Sequence, residues 1–583
     1  MKSVIYFLIT SVFILVSCKD SSEKKQGLSS ESNELQQTIF FGGDIITMEG
    51  DEPQYVEALV QQDGKIVYVG DKEGAMKQYG GKAKEIDLKG QTLVPGFVDG
   101  HAHFANFGGQ AVCANLLAEP DGKVNTIDDL VAALKTWYEE NGTEKTDGWI
   151  VGIGYDDAVL KEGRHPTKED LDKVSTELPV MATHISGHFS AVNTKGLEMI
   201  GYDATTKDPA GGVIRRMEGS QEPNGVLEEL ASIPPMLKVL SPTEQKWVDY
   251  YLDKGQEMAF SYGYTTAQEG RAMTNHEQLA DYAERGKMKL DVVSYVDYSY
   301  PQYLHSAWNS RDYKNHYRIG GIKLTLDGSP QGRTAWRTEP YLIPPDGQKE
   351  GYSGYPAIPD DEDVMAIVDT AFANNWQLLI HCNADASADQ LFRAMNKAVK
   401  QYGNEDRRTT LIHGQLIRMD QLDSLKKYDM VGSFFPMHTF YWGDWYKQII
   451  GPEKAQQISP IKSALNMGIP VTSHTDAPVA LPNLMMIMHT TVNRVSRSGT
   501  VMGPDERLTP YEALKSITIW GAWQHFEEER KGTLSEGKLA DLVILDKNPL
   551  KVDPMTLKDI KVVETIKEGK SVYRMPSQKM AFK

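Results

Sequence analysis

Apolar and polar positions alternate in two different registers along this chain. Residues 39–69 run as short apolar stretches broken by Phe41-Gly42-Gly43-Asp44 and Gln62-Asp63-Gly64-Lys65, the pattern of antiparallel strands joined by tight turns. The far end repeats the pattern: residues 540–546 and 561–566 are strand-like, and Glu568-Gly569-Lys570 turns into a last strand at 571–573. Both ends are expected to build one discontinuous β-sandwich from residues 37–92 and 530–583. Between them, strand-length apolar pieces end in polar residues and are followed by helical patterns, the alternation of a parallel α/β fold. Residues 92–98, 319–326, 377–380, 409–412 and 469–473 read as strands, and 361–374 and 510–519 as helices. Thr509 is placed to cap the second helix, with Pro510 at its first position. The expected class is α/β: a (β/α)8 TIM-type barrel over residues 93–529. Residues 105–240 are too many for one barrel loop and read as an inserted α+β subdomain.

The first residues break this pattern. Lys2 precedes an apolar run over residues 4–16, interrupted only by Thr10 and Ser11 and followed by Ser17-Cys18. The run is shorter than the roughly 20 residues that span a bilayer, so it reads as a signal peptide. A small residue before a Cys resembles the bacterial lipobox, so residues 1–18 are expected to be a lipoprotein signal with Cys18 as the lipidated residue. Residues 19–36, rich in Ser, Glu, Lys and Gln, then form a flexible tether. The expected location is that of an exported lipoprotein on the periplasmic side or the cell surface, held to the membrane by its N-terminal lipid. Only Cys113 and Cys382 remain, which excludes a disulfide framework and leaves their pairing open.

Composition removes one class of partner. The 583 residues are 40% hydrophobic and 24% charged, a globular balance, and the net charge of −18 leaves no basic face for nucleic acid. The expected partner is a small molecule, and a homodimer stays open.

The chemistry sits where strands end. His101-Ala102-His103 follows an apolar strand, and period-two geometry turns both imidazoles toward one point, as two ligands of one metal require. His381 follows Gln377-Leu378-Leu379-Ile380, His413 follows Thr409-Thr410-Leu411-Ile412, and Asp476 follows Val471-Thr472-Ser473-His474-Thr475. Residues at the C-terminal ends of barrel strands converge, so these belong to one constellation. Lys323 lies mid-strand with Thr325 and Asp327 on the face opposite Ile322, Leu324 and Leu326. Such a lysine must be paired, with Asp327 or another acid, or modified.

Together the stretch 94–103, the Lys323 strand with Asp327-Gly328-Ser329, His381, His413-Gly414-Gln415 and 473–478 resemble the amidohydrolase superfamily. Within it they are similar to the long branch that includes N-substituted formamide deformylases. Residues 532–543 match that family's return to its β-sandwich, and Gly187-His188-Phe189-Ser190 resembles part of the branch's insert. The resemblance implies His101 and His103 as ligands of one divalent ion and His381 and His413 as ligands of a second. It also implies Lys323 as a carbamylated bridge and Asp476 as ligand and proton shuttle, with one or two metals per chain. Zinc suits imidazole and carboxylate ligands, and iron or manganese would tolerate them.

The expected reaction is hydrolysis of a non-peptide C–N bond, in an amide, N-acyl or N-formyl group, by a metal-activated water with Asp476 moving the proton. An ester or lactone is the alternative substrate, because the same water attacks any activated carbonyl. A catalytically silent binding protein is the alternative class, which the retained Asp476 disfavours. No Gly-x-Ser-x-Gly nucleophile stands near a His/Asp partner. For substrate contacts, His188 is placed to reach in from the insert, and His474 is a neighbour of Asp476. Arg333 and Arg494 could meet a substrate carboxylate or make salt bridges. Trp442, in a run of aromatics near Met437 and His438, could line a pocket or pack a helix. His184 departs from what this branch would lead one to expect.

Overall fold

The computed structural model describes residues 37–576, apart from 210 and 346. The N-terminal signal, the tether and Cys18 lie outside the described residues. Eight strands form one all-parallel sheet: Phe97–Val98 (β1), Tyr264–Ala272 (β2), Asp291–Asp297 (β3), Tyr317–Thr325 (β4), Gln377–Ala384 (β5), Thr410–Leu416 (β6), Val431–Phe434 (β7) and Val471–Ser473 (β8). They pair in chain order, with helices such as Asp361–Ala373 and Asp385–Tyr402 in the connections. That order follows from the sequence pattern, since a parallel neighbour needs a long crossover, which is α-helical except between β3 and β4, where only the 3-10 turn Pro301–His305 intervenes.

Both faces of the strands are buried. Val292, Val296, Ile322, Leu324, Leu378 and Ile380 join the main core, while Val293, Tyr295, Leu379 and Ile412 form a separate small cluster. Lys323 and His381 take the parity opposite the main core, and His381 lies two residues beyond Leu379. The first and last strands meet beyond their ends: Asp476 N donates to His101 O at 3.0 Å and His103 N to Ala477 O at 2.8 Å.

Both chain ends contribute to a second eight-stranded sheet, in which Leu542–Leu545 lies antiparallel to Thr92–Pro95. Residues 92–98, expected as one strand, are divided at Gly96. Gly96 N donates to Asp541 O in the terminal sheet and Phe97 N to Gly263 O beside the parallel sheet, at 2.8 and 3.0 Å. A Cβ at Gly96 would lie 2.3 Å from the Thr265 side chain, so only glycine makes this crossing. Six strands between Ala114 and Glu229 form the third sheet.

Thr509 caps the helix Pro510–Ser516 through a capping box with Glu512. This helix stops short of the expected 519, and a second helix, Ile519–Gln524, follows Thr518. A buried ion network joins the parallel and terminal sheets, with Lys531 Nζ at 2.6 Å from Asp291, Lys567 at 3.1 Å from Asp541, and Arg318 at 2.8 Å from Glu527. Cys113 and Cys382 are buried and not disulfide-bonded. Among the described residues, no helix is long and apolar enough to cross a membrane.

Candidate metal centre

The parallel strands deliver their polar residues to one point. His101 and His103 follow β1, Lys323 lies on β4, His381 on β5, His413 on β6, and His474 and Asp476 follow β8. Asp476 Oδ1 lies 3.5 Å from His101 Nε2 and 3.4 Å from His103 Nε2, and its Oδ2 lies 4.0 Å from His413 Nε2. His413 Nε2 is 3.2 Å from His381 Nδ1, and Lys323 Nζ is 3.1 Å from His101 Nε2. The sequence-expected ligands are therefore brought together. Two of them sit on left-handed backbone: His413, within β6, has a φ of 77° and Asp476, beyond β8, a φ of 52°.

Burial sets the protonation. It holds His101, His381 and His413 well below the ordinary imidazole range, and neighbouring Lys323 and imidazoles add to the effect. Neutral imidazoles are the form that ligates a metal. For His103, burial is outweighed by Asp476 and Glu269, and its pKa is raised. Burial pushes Lys323 down to about 7 against the pull of Asp476. Among the described residues no carboxylate oxygen lies within salt-bridge distance of Lys323. Asp327 instead accepts from Asn383 N, Ala384 N and Ser387 Oγ, so the ion pair weighed for Lys323 and Asp327 does not form.

The donor set fits a cation. Asp476 Oδ1 is buried and has no hydrogen-bond partner, although two imidazole nitrogens face it within 3.5 Å. A buried carboxylate oxygen left in that state is costly. A divalent ion among His101, His103 and Asp476, whose ligand atoms lie within 4.8 Å of one another, would satisfy it.

Four supporting residues escaped the sequence reading. Gln268 Oε1 bonds His101 Nδ1, and Glu269 Oε1 lies 3.8 Å from His103 Nδ1, so both expected ligands have a partner on the far nitrogen of the ring. Gly270 follows because a Cβ there would lie 2.1 Å from the His101 ring. The available signal was a strand-forming run, Tyr264-Thr265-Thr266-Ala267, ending in Gln268-Glu269-Gly270-Arg271. Glu229, at the end of the insert's strand Pro223–Glu229, binds His188 Nδ1 at 2.7 Å and holds that ring 6.5 Å from His381.

The other expected substrate contacts separate. His188 lines the cavity over the centre. His474 lies behind the ligands, bonded to His413 Nδ1 at 3.1 Å and to Ser433 Oγ at 2.9 Å and stacked on Phe435. Trp442 is a correction: it is buried in helix Met437–Ile449, donates to Asp156 at 2.9 Å and packs on His438, away from the cavity. Arg333 also lies outside the cavity lining, with its guanidinium donating to Pro344 O and resting near Trp445. Arg494 is fully buried and donates to three backbone carbonyls, of Met502, Ser459 and Ile458. His184 pairs with Asp157 at 3.0 Å and with Ser186 at 2.8 Å.

Residues 84–573 match the family model described as "Amidohydrolase family". The chain belongs to the amidohydrolase family. This amidohydrolase is 27% identical over 552 residues to the Bacillus subtilis protein YtcJ, named as an amidohydrolase, covering 92% of this chain and 99% of that one. It is 24% identical over 540 residues to the N-substituted formamide deformylase of Arthrobacter pascens, covering 88% and 94%. Its fold resembles that of an uncharacterized metal-dependent hydrolase from Pyrococcus horikoshii, with a TM-score of 0.69, 23% identity and 89% and 99% coverage. The amidohydrolase is a hydrolase acting on carbon–nitrogen bonds, as the sequence led us to expect.

Proposed function

We propose that this amidohydrolase cleaves an amide, N-acyl or N-formyl group of a small molecule, with a divalent metal, zinc by ligand chemistry, among His101, His103 and Asp476. His381, His413 and a carbamylated Lys323 would hold a second ion. The observation that carries the reading is the buried, unpartnered Asp476 Oδ1 facing His101 and His103. The edge contacts between β1 and β8 support a sheet closed into a (β/α)8 barrel, with this centre at its C-terminal mouth. The pairing of Leu542–Leu545 with Thr92–Pro95 supports a composite terminal β-domain, and the separate sheet between Ala114 and Glu229 supports a subdomain inserted after β1.

A divalent ion supplies Lewis acidity, which polarises the scissile carbonyl and lowers the pKa of water toward about 7. Asp476 takes one proton from the attacking water as its oxygen bonds to the carbonyl carbon. It then passes that proton to the leaving nitrogen as the C–N bond breaks. Gln268 and Glu269 hold the His101 and His103 rings in place, and His188, braced by Glu229, faces the substrate from the insert.

Elemental analysis beside a matched amide and ester panel, with and without chelator, tests this. Bound metal near one or two per chain with chelator-sensitive amide cleavage is expected. Preference for the ester members would favour the ester or lactone reading. Absence of metal after reconstitution with divalent ions and bicarbonate would overturn the proposal in favour of a binding protein.

We further propose that Cys18 carries a lipid that anchors the exported enzyme to a membrane. Cys18→Ser should move it from the membrane to the soluble fraction, and an unchanged distribution would count against the anchor.

A further inference from the structure

A cavity of about 270 Å³ opens directly over the centre. His103, Lys323, His381 and Asp476 line one part of it, with His188 across from them. The rest of the wall has a different character, set largely by one helix of the insert, Ile233–Leu240. Ile233, Met236, Leu237 and Leu240 all face the cavity, at the spacing i, i+3, i+4, i+7 that puts them on one side of a helix. Pro235 and Val239 are buried on another side, and Pro234 and Lys238 are exposed. A helix bordering water would carry polar residues on its open face. This one presents an apolar stripe to the cavity, and Ile153 and Leu252 extend it from other elements.

Two further charged residues of the lining are engaged within the protein. Arg271 Nε donates to Asp297 at 2.7 Å, and Glu269 accepts from Ala105 N at 2.8 Å. Arg333 and Arg494 lie outside the lining. Lys323, which has no carboxylate partner among the described residues, stands beside His101 at the centre, so the Ile233–Leu240 stripe itself brings no cation to the cavity, whose size suits a small molecule.

Resting on the hydrolase reading above, we propose that this apolar chamber is the enzyme's specificity pocket. The substrate class is an amide with an uncharged aliphatic or aryl substituent that lies along the Ile233–Leu240 stripe while its carbonyl sits at the centre. Each methylene buried there should improve kcat/KM roughly fourfold, until the chamber is full.

Gly109 offers the direct test. It lines the chamber, and a Cβ placed on it would meet Ile153 Cδ1 at 3.5 Å and Leu240 Cδ2 at 4.0 Å, ordinary contact distances. Gly109→Leu should therefore fit and project into the chamber. The probes are N-formyl derivatives of linear alkylamines from methyl to octyl and the matching linear fatty acyl amides. kcat/KM of the wild-type metalloenzyme should rise with chain length in at least one series. Gly109→Leu should lower the longest members at least tenfold more than the shortest, with metal content unchanged. Leu237→Ala, which widens the same wall, should shift the optimum to longer chains and serves if the Gly109 variant does not fold. Flat length dependence in an active wild-type enzyme, or preference for charged substituents, would overturn the proposal. Calorimetric binding of the same compounds separates it from the hydrolase reading. Affinity that grows with chain length without turnover would keep the chamber and reject the hydrolase, whereas turnover without length dependence would do the reverse.

Discussion

Asp476→Asn should cut turnover by about three orders of magnitude, close to 4 kcal/mol of transition-state stabilisation, while leaving most of the bound metal in place. The substitution suits the site. Asn keeps the shape of Asp and tolerates the left-handed backbone at φ 52°, and its carbonyl oxygen can still face His101 and His103. It cannot accept a proton and return it to a leaving nitrogen, so only the shuttle is removed. Steady-state kinetics and elemental analysis on one preparation give the answer. Near-normal activity would take Asp476 out of the mechanism. Loss of metal together with activity would make it chiefly a ligand.

Much of this centre was legible in the sequence because its residues follow a rule of position. His101, His381 and His413 stand at or just past apolar runs and Asp476 just past the short strand Val471–Ser473, and a parallel sheet brings such positions together. What the sequence hid depends on distances across the fold. Residues 92–98 look like one strand, and only the approach of Thr265 to Gly96 shows why they serve two sheets. Lys323 was open to an ion pair with Asp327, but in the structure two backbone amides at the end of β5 and the Ser387 hydroxyl of the following helix occupy that carboxylate. Trp442 has the composition of a pocket residue, yet its indole N–H is taken by Asp156, some 286 positions away. Glu229 gave no signal at all, since its meaning comes from a fold in the insert that brings it to His188. The apolar stripe of Ile233–Leu240 was equally silent: periodicity marks an apolar face without saying whether a core or a cavity lies against it.

His101→Ala should strip metal from the centre and abolish activity, and its comparison with His413→Ala decides how many ions the centre holds. His101 is fully buried between Gln268, Lys323 and the Asp476 carboxylate, so no other side chain can replace it from solvent. His413 stands on the other side, 3.2 Å from His381 and 4.0 Å from Asp476. If one ion is shared by all of these groups, either alanine should empty the site. If two ions are held, His413→Ala should remove one equivalent and leave the ion of His101 and His103 measurable. Gln268→Leu provides the graded case: it leaves the ligand but removes its orienting partner, and should weaken metal affinity by about 10- to 100-fold. Elemental analysis after dialysis, with thermal melts to confirm that each variant is folded, reads all three. Unchanged metal content in folded His101→Ala would show that the ion lies elsewhere, and the ligand set drawn from the ends of β1 and β8 would fall with it.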